Sequence, residues 1–158
     1  LNIAHFSSSQ TTTLLLVYGV TGFLGSYLFG KFARKYPKFP IPLSSAVIAA
    51  AMLLLIPLST NFISFSVICG LWGMAIICFS LAQQAKTLDF ASDATDVSMA
   101  IHSGLYNVGI GAGALIGGLA TTNFGLNQIG IVGGIIAVIG TLLALVLVQR
   151  KDFLTGIK

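Results

Sequence analysis

The chain has 158 residues, 56% of them hydrophobic and only 8% charged, against roughly 25% charged in an average soluble domain. Residues 39–85 and 97–149 carry no Asp, Glu, Lys or Arg, and each run is long enough for two membrane crossings. A soluble core of this size needs no such runs, and the net charge of +4 follows the gaps between them rather than forming a nucleic-acid patch, so the expectation is an all-α integral membrane protein whose main partner is the lipid bilayer.

Leu1–Gln10 is polar and mixed and lacks the basic n-region of a signal peptide. His5 lies in this polar stretch and is expected to be solvated. Thr13–Gly30 is the first crossing, with Gly22, Ser26 and Gly30 as a small-residue face at four-residue spacing, the kind of face that lets helix backbones approach closely in lipid. The run Gly19-Val20-Thr21-Gly22-Phe23-Leu24-Gly25 is similar to the TGxxG turn of extended short-chain dehydrogenases, and Tyr27 and Lys31 make a Tyr-x-x-x-Lys pair. That reading fails. The pair overlaps the turn instead of lying far downstream, and the next acid, Asp89, is too distant for the ribose contact expected ~20 residues on.

Lys31, Arg34, Lys35 and Lys38 form a short basic loop. Ile41–Leu58 is the second crossing, with Pro40 and Pro42 at its start, where a missing N–H costs little, and Pro57 at its end. Ser59-Thr60-Asn61 is an uncharged turn. Phe62–Ala82 is the third crossing and carries Trp72, Cys69 and Cys78. The cysteines stand ~13 Å apart on one helix, too far for a disulfide, and no histidines are spaced to complete a metal site. No cofactor is implied.

Gln83–Asp96 reads as a polar loop holding Lys86, Asp89, Asp93 and Asp96, with Gln83 and Gln84 either at a cavity mouth or simply interfacial. Val97–Leu119 is uncharged and spans ~34 Å as a helix, enough for a ~30 Å bilayer core. Gly109, Gly113 and Gly117 line one of its faces. Asp93 and Asp96 stand where carboxylates cap free N–H groups and favour the positive end of the dipole. His102 and Asn107 are hydrogen-bonding side chains in this otherwise apolar segment. The match of Gly109–Ala114 to a G-x-G-x-x-A fingerprint is coincidental, since no strand precedes it and no acid follows before Gln149. Thr121–Gln128 is a turn, Ile129–Val148 is the last crossing, and Arg150, Lys151, Asp152 and Lys158 lie in a polar tail.

All Lys and Arg fall in 31–38, at Lys86 and in 150–158, and none in 1–10, 59–61 or 121–128. Five crossings (about 13–30, 41–58, 62–82, 97–119 and 129–148) alternate these two sets across the membrane. The positive-inside rule then puts the basic set and the C-terminus in the cytoplasm and the N-terminus outside, which leads to the expectation that a preceding helix is left out.

The run SDATDVSMAIHSGLYNVGIGAGALIGG resembles the eleventh helix of the major facilitator superfamily, in its drug/proton antiporter branch, and most of all the bacterial sugar efflux transporters. Gly30-Lys31-Phe32-Ala33-Arg34-Lys35 resembles the superfamily's basic loop motif in its C-terminal-half copy but lacks the motif's Asp. The resemblance implies that residues 1–158 are part of the C-terminal six-helix half, helices eight to twelve. It implies a secondary active transporter in a bacterial inner membrane, exporting sugars or similar small polar solutes against protons, with the N-terminal half of the same transporter as partner. Drug efflux by the same fold is the alternative, and a non-transporting membrane subunit or scaffold the second. An enzyme is not expected, for want of a nucleophile–base–acid set. By the same resemblance Trp72 lies on a cavity-facing helix, Gly109, Gly113 and Gly117 lie at the boundary between halves, and Trp72, Gln83, His102 and Asn107 are the substrate candidates.

Overall fold

The computed structural model describes residues 6–33 and 35–149. His5, Arg34, Arg150, Lys151, Asp152 and Lys158 lie outside the described residues. Five helices make up the bundle: α1 (Ser8–Phe32), α2 (Pro40–Leu54), α3 (Phe62–Phe90), α4 (Thr95–Phe124) and α5 (Ile129–Val148), with short 3₁₀ turns at Ser92–Ala94 and Leu126–Gln128. No strand occurs among the described residues. By length and composition α1, α3, α4 and α5 can each cross a membrane.

The helix starts follow local chemistry. Ser7 and Gln10 form a capping box: the Gln10 amide N–H donates to Ser7 Oγ at 3.2 Å, and the Ser7 N–H to Gln10 Oε1 at 2.9 Å. Asn61 caps α3 by accepting from the N–H groups of Ile63 and Ser64 at 2.9 and 3.2 Å. The cap expected of Asp93 and Asp96 is not made. The 3₁₀ turn puts Ala94 at the N-cap of α4 with no side-chain cap, and the Asp93 carboxylate accepts from the Ser92 hydroxyl at 3.2 Å. Asp96 stays in the first turn of α4, where it favours the helix dipole without capping it.

Two spans differ from the sequence expectation. The second, expected over 41–58, is helical only to Leu54. Pro57 has no N–H for the Leu53 carbonyl and disfavours helical geometry at Ile56, so the chain closes in turns, with Leu58 N–H bonded to Leu54 O and Ser59 N–H to Ile56 O, each at 3.1 Å. The third, expected to end at Ala82, runs on to Phe90. Residues 83–90 contain helix formers and no Gly or Pro, and Lys86 pairs with Asp89 at 3.1 Å one turn on. Gln83, Lys86 and Asp89 are therefore helical, not in a loop. At the far end of α4, Gly125 takes φ +85°, a backbone state that stops the helix and suits only glycine without strain.

Packing centres on α1 against α3, and on α2 against α3 and α5. At the first contact a Cβ on Gly73 would collide with the Tyr18 carbonyl oxygen and stand 3.0 Å from Thr21 Oγ1, while one on Gly25 would sit 3.1 Å from Met74 Cα. The Cys78 thiol donates to the Gly25 carbonyl at 3.1 Å. The small-residue face expected of Gly22, Ser26 and Gly30 is thus corrected. Gly22 does pack, 3.2 Å from Ile77 Cγ1 as judged at its Cβ position, but Gly30 meets nothing within 4 Å and Ser26 is exposed. The tight contact runs from Val17 and Tyr18, against Gly70 and Gly73, to Gly25 against Met74, so the working partner of Gly22 is three residues on, not four. Gly130 and Gly134 make the equivalent seat on α5 for Met52 and Leu53 of α2.

α4 stands apart. Ala120 is its one buried residue, and Cβ positions at Gly109 and Gly113 meet nothing within 4 Å, with Gly117 only touching Ile129 Cδ1 at 3.8 Å. Successive helices alternate in direction. The last turns of α1 and α3 and the first turn of α2 share one end, where Ala33, Pro40 and Lys86 line a common recess; Phe6 beside Phe62, with ring centroids 5.5 Å apart, marks the other.

Candidate functional site

Between the end of α3, the first half of α4 and the second half of α5 lies a cleft of about 780 Å³, closed on one side by Ile41 of α2. Its polar groups come from two helical stripes. α3 presents Gln83, Lys86 and Thr87; α4 presents His102 and Tyr106. Residues three and four apart share a helix face, so Phe79, Gln83, Thr87 and Phe90 form one wall and His102, Tyr106, Gly109 and Ile110 the facing one.

The stripes touch at Thr87 and His102, whose Oγ1 and Nδ1 are 3.4 Å apart. Thr87 also donates to the Gln83 carbonyl at 3.0 Å. The His102 and Tyr106 rings stack, with centroids 6.3 Å apart and planes inclined by 28°. Gly109, with no side chain, leaves the wall beyond Tyr106 open. The remaining lining is aliphatic or aromatic, including Leu105, Leu143 and Leu147. No carboxylate lines the cleft among the described residues. Lys86 is at its rim, paired with Asp89.

Of the four substrate candidates read from the sequence, Gln83 and His102 are brought together here. Trp72 and Asn107 are not. Trp72 packs edge-on against Tyr18 of α1, with ring centroids 5.6 Å apart, and its indole N–H is buried without a partner among the described residues. Asn107 donates to the Ser103 carbonyl of its own helix at 3.0 Å and faces outward. Thr87 and Tyr106 were not singled out from sequence. Reading 83–96 as a loop hid the α3 stripe, whereas a helical reading of 79, 83, 87 and 90 exposes it. Tyr106 is one turn past His102, and that spacing alone was the available sign.

The basic loop is shorter than expected, since Lys31 still belongs to the last turn of α1 and Lys35 and Lys38 lie in the turns before Pro40. Among the described residues no group of three His, Cys, Asp or Glu side chains converges as a metal site.

A bundle of long apolar helices in alternating direction, with a mixed polar and apolar cleft at one end, is the architecture of a multi-pass membrane protein. The family model described as the Major Facilitator Superfamily matches residues 1–156, nearly the whole chain; it therefore belongs to that superfamily of secondary transporters.

Proposed function

We propose that this chain forms part of the C-terminal half of a proton-coupled exporter of sugars or similar small polar solutes, with the basic end of the bundle in the cytoplasm of a bacterial cell. The observation that carries the reading is the cleft between α3, α4 and α5. Gln83 supplies an amide donor and acceptor, Thr87 and Tyr106 hydroxyls, and His102 an imidazole. The Tyr106 and Phe79 rings supply flat apolar surface. A neutral polyol needs that combination of spaced hydrogen-bonding groups and a ring to lie against. Among the described lining residues the one Lys, Arg, Asp or Glu is Lys86, and it is already paired with Asp89.

In such folds the substrate site lies at the interface of the two halves, so the other half of the transporter completes this wall and is the partner of the open α4 face. His102 is the group of this wall suited to passing a proton, since ionisable groups inside a bilayer mark such paths. The aliphatic walls at Leu105, Leu143 and Leu147 support drug efflux as the second reading. Accumulation of a radiolabelled sugar in cells expressing the intact transporter separates the two. Gln83→Ala and Tyr106→Phe each remove hydrogen bonds worth ~0.5–1.5 kcal/mol, so sugar export should fall several-fold at sub-saturating substrate while membrane levels hold. Unchanged sugar export with lost export of an apolar cation would favour drugs, and no effect on either would overturn the assignment of the cleft.

A further inference from the structure

Beyond Gly25 a second groove of about 570 Å³ opens between α1 and α2, floored by α3. It runs from Tyr36 and Phe39 at the basic end of the bundle down to Val47 and Leu71. Along α2 that is ~12 Å, most of the ~15 Å depth of one hydrocarbon leaflet. Its walls are apolar, with Leu28, Phe32 and Leu43 among them. The Ser44 hydroxyl on the α2 wall donates to the Pro40 carbonyl, and the Cys78 thiol in the floor donates to the Gly25 carbonyl. Nothing in the floor asks for water or a polar ligand.

The rim is different. Lys31 Nζ stands over the Phe32 ring at 5.6 Å, and Lys35 Nζ over the Tyr36 ring at 5.2 Å. Both rings line the groove, so both cations are held at its mouth by cation–π contacts. Neither lysine pairs with a carboxylate among the described residues, where the sole ion pair is Lys86–Asp89. Lys38 is adjacent to Phe39, another lining residue.

We infer that this groove is a binding site for one anionic glycerophospholipid, an acyl chain lying between α1 and α2 and the headgroup phosphate held by Lys31 and Lys35. The occupant follows from charge complementarity. The slot is apolar along its length, opens at the basic end of the bundle, and carries there two cations with no carboxylate partner among the described residues. A protein helix would fill the slot but leave those charges unanswered. A zwitterionic lipid would fill it too, but its ammonium group would offset the attraction.

Mass spectrometry of the purified chain released from detergent micelles counts the lipids that stay bound. The chain is titrated with phosphatidylglycerol or with phosphatidylcholine carrying identical acyl chains. One phosphatidylglycerol should be retained at a concentration on the order of tenfold lower than phosphatidylcholine. Lys31→Gln with Lys35→Gln, both at exposed positions, should erase that difference and leave the weaker phosphatidylcholine binding in place. Leu43→Phe, on a wall residue 60% exposed, should narrow the slot and weaken retention of both lipids. Equal retention of the two lipids by the unaltered chain overturns the site, as does a preference that survives loss of both lysines. Retention indifferent to Leu43→Phe removes the acyl chain from the groove and overturns it as well.

Discussion

Replacing Gly73 with Ala tests the geometry of the bundle at its tightest point. The added methyl group has nowhere to go: one neighbour is the Tyr18 carbonyl oxygen and the next is Thr21 Oγ1, 3.0 Å away. Neither yields cheaply, since the first is backbone and the second is bonded to the Val17 carbonyl at 2.8 Å. Overpacking costs ~1–3 kcal/mol, a clash against backbone falls in the upper part of that range at ~2–3 kcal/mol, and the better helix propensity of Ala returns ~1 kcal/mol, leaving a net loss of ~1–2 kcal/mol. For a chain of this size that lowers Tm by about 2–8 °C. Gly113→Ala is the control, because its added methyl meets nothing within 4 Å, and it should leave Tm unchanged or raise it by up to about 4 °C. The assay is the fraction of monodisperse protein surviving a temperature series in detergent, read by size-exclusion chromatography. A Gly73→Ala chain as stable as the parent, or an equal loss in both variants, would refute the close α1–α3 contact described above.

Three further outcomes are expected. Cysteine placed at Asn61 or Asn127 should react with an impermeant maleimide added outside sealed cells, and cysteine at Lys35 should not; the reverse pattern would invert the proposed orientation. Gly113→Leu should keep membrane levels and Tm near those of the parent, since the position is open, yet abolish export by the complete transporter if α4 moves against the other half; normal export would remove the moving contact from Gly113. Ser7→Ala should cost ~0.5–2 kcal/mol of local helix stability and speed amide hydrogen exchange in the first turn of α1, and unchanged exchange there would show that the capping box is not formed.

The alternation of charged and uncharged turns made the number and rough position of the helices legible, because crossing a bilayer demands long uncharged runs whatever the neighbours do. Superfamily membership was legible too, in the stretch from Ser92 to Gly118. The ends of helices were harder. Lys86 and Asp89 read as loop because they are charged, yet their spacing lets them pair on one helix face. Pro57 gave away the end of α2 only to within a few residues. Which glycines pack was the least legible, since four-residue spacing marks Gly22 and Gly30 equally, while the position of α3 decides that Gly25 takes the contact and Gly30 meets nothing within 4 Å. For the candidate site, His102 and Gln83 stood out as polar exceptions in apolar surroundings. Thr87 and Tyr106 became visible once α3 and α4 lay side by side, because their importance depends on a neighbour distant in the chain.

The early stop of α2 sets a demand on the surrounding lipid. Its 15 helical residues reach ~22 Å, some 8 Å less than an average hydrocarbon core. The turns that follow bond part of their own backbone, through the Leu58, Ser59 and Asn61 N–H groups, and the buried Ser59 hydroxyl donates to the Ile56 carbonyl at 2.7 Å, which lowers the number of bare peptide groups that would face acyl chains below the headgroups. The bilayer nevertheless meets a shorter apolar wall at α2 than at α3 or α4. Thinning to match it costs fractions of a kcal/mol per ångström, so the chain should be most stable in short-chain lipids and become progressively strained on the α2 side as the membrane thickens.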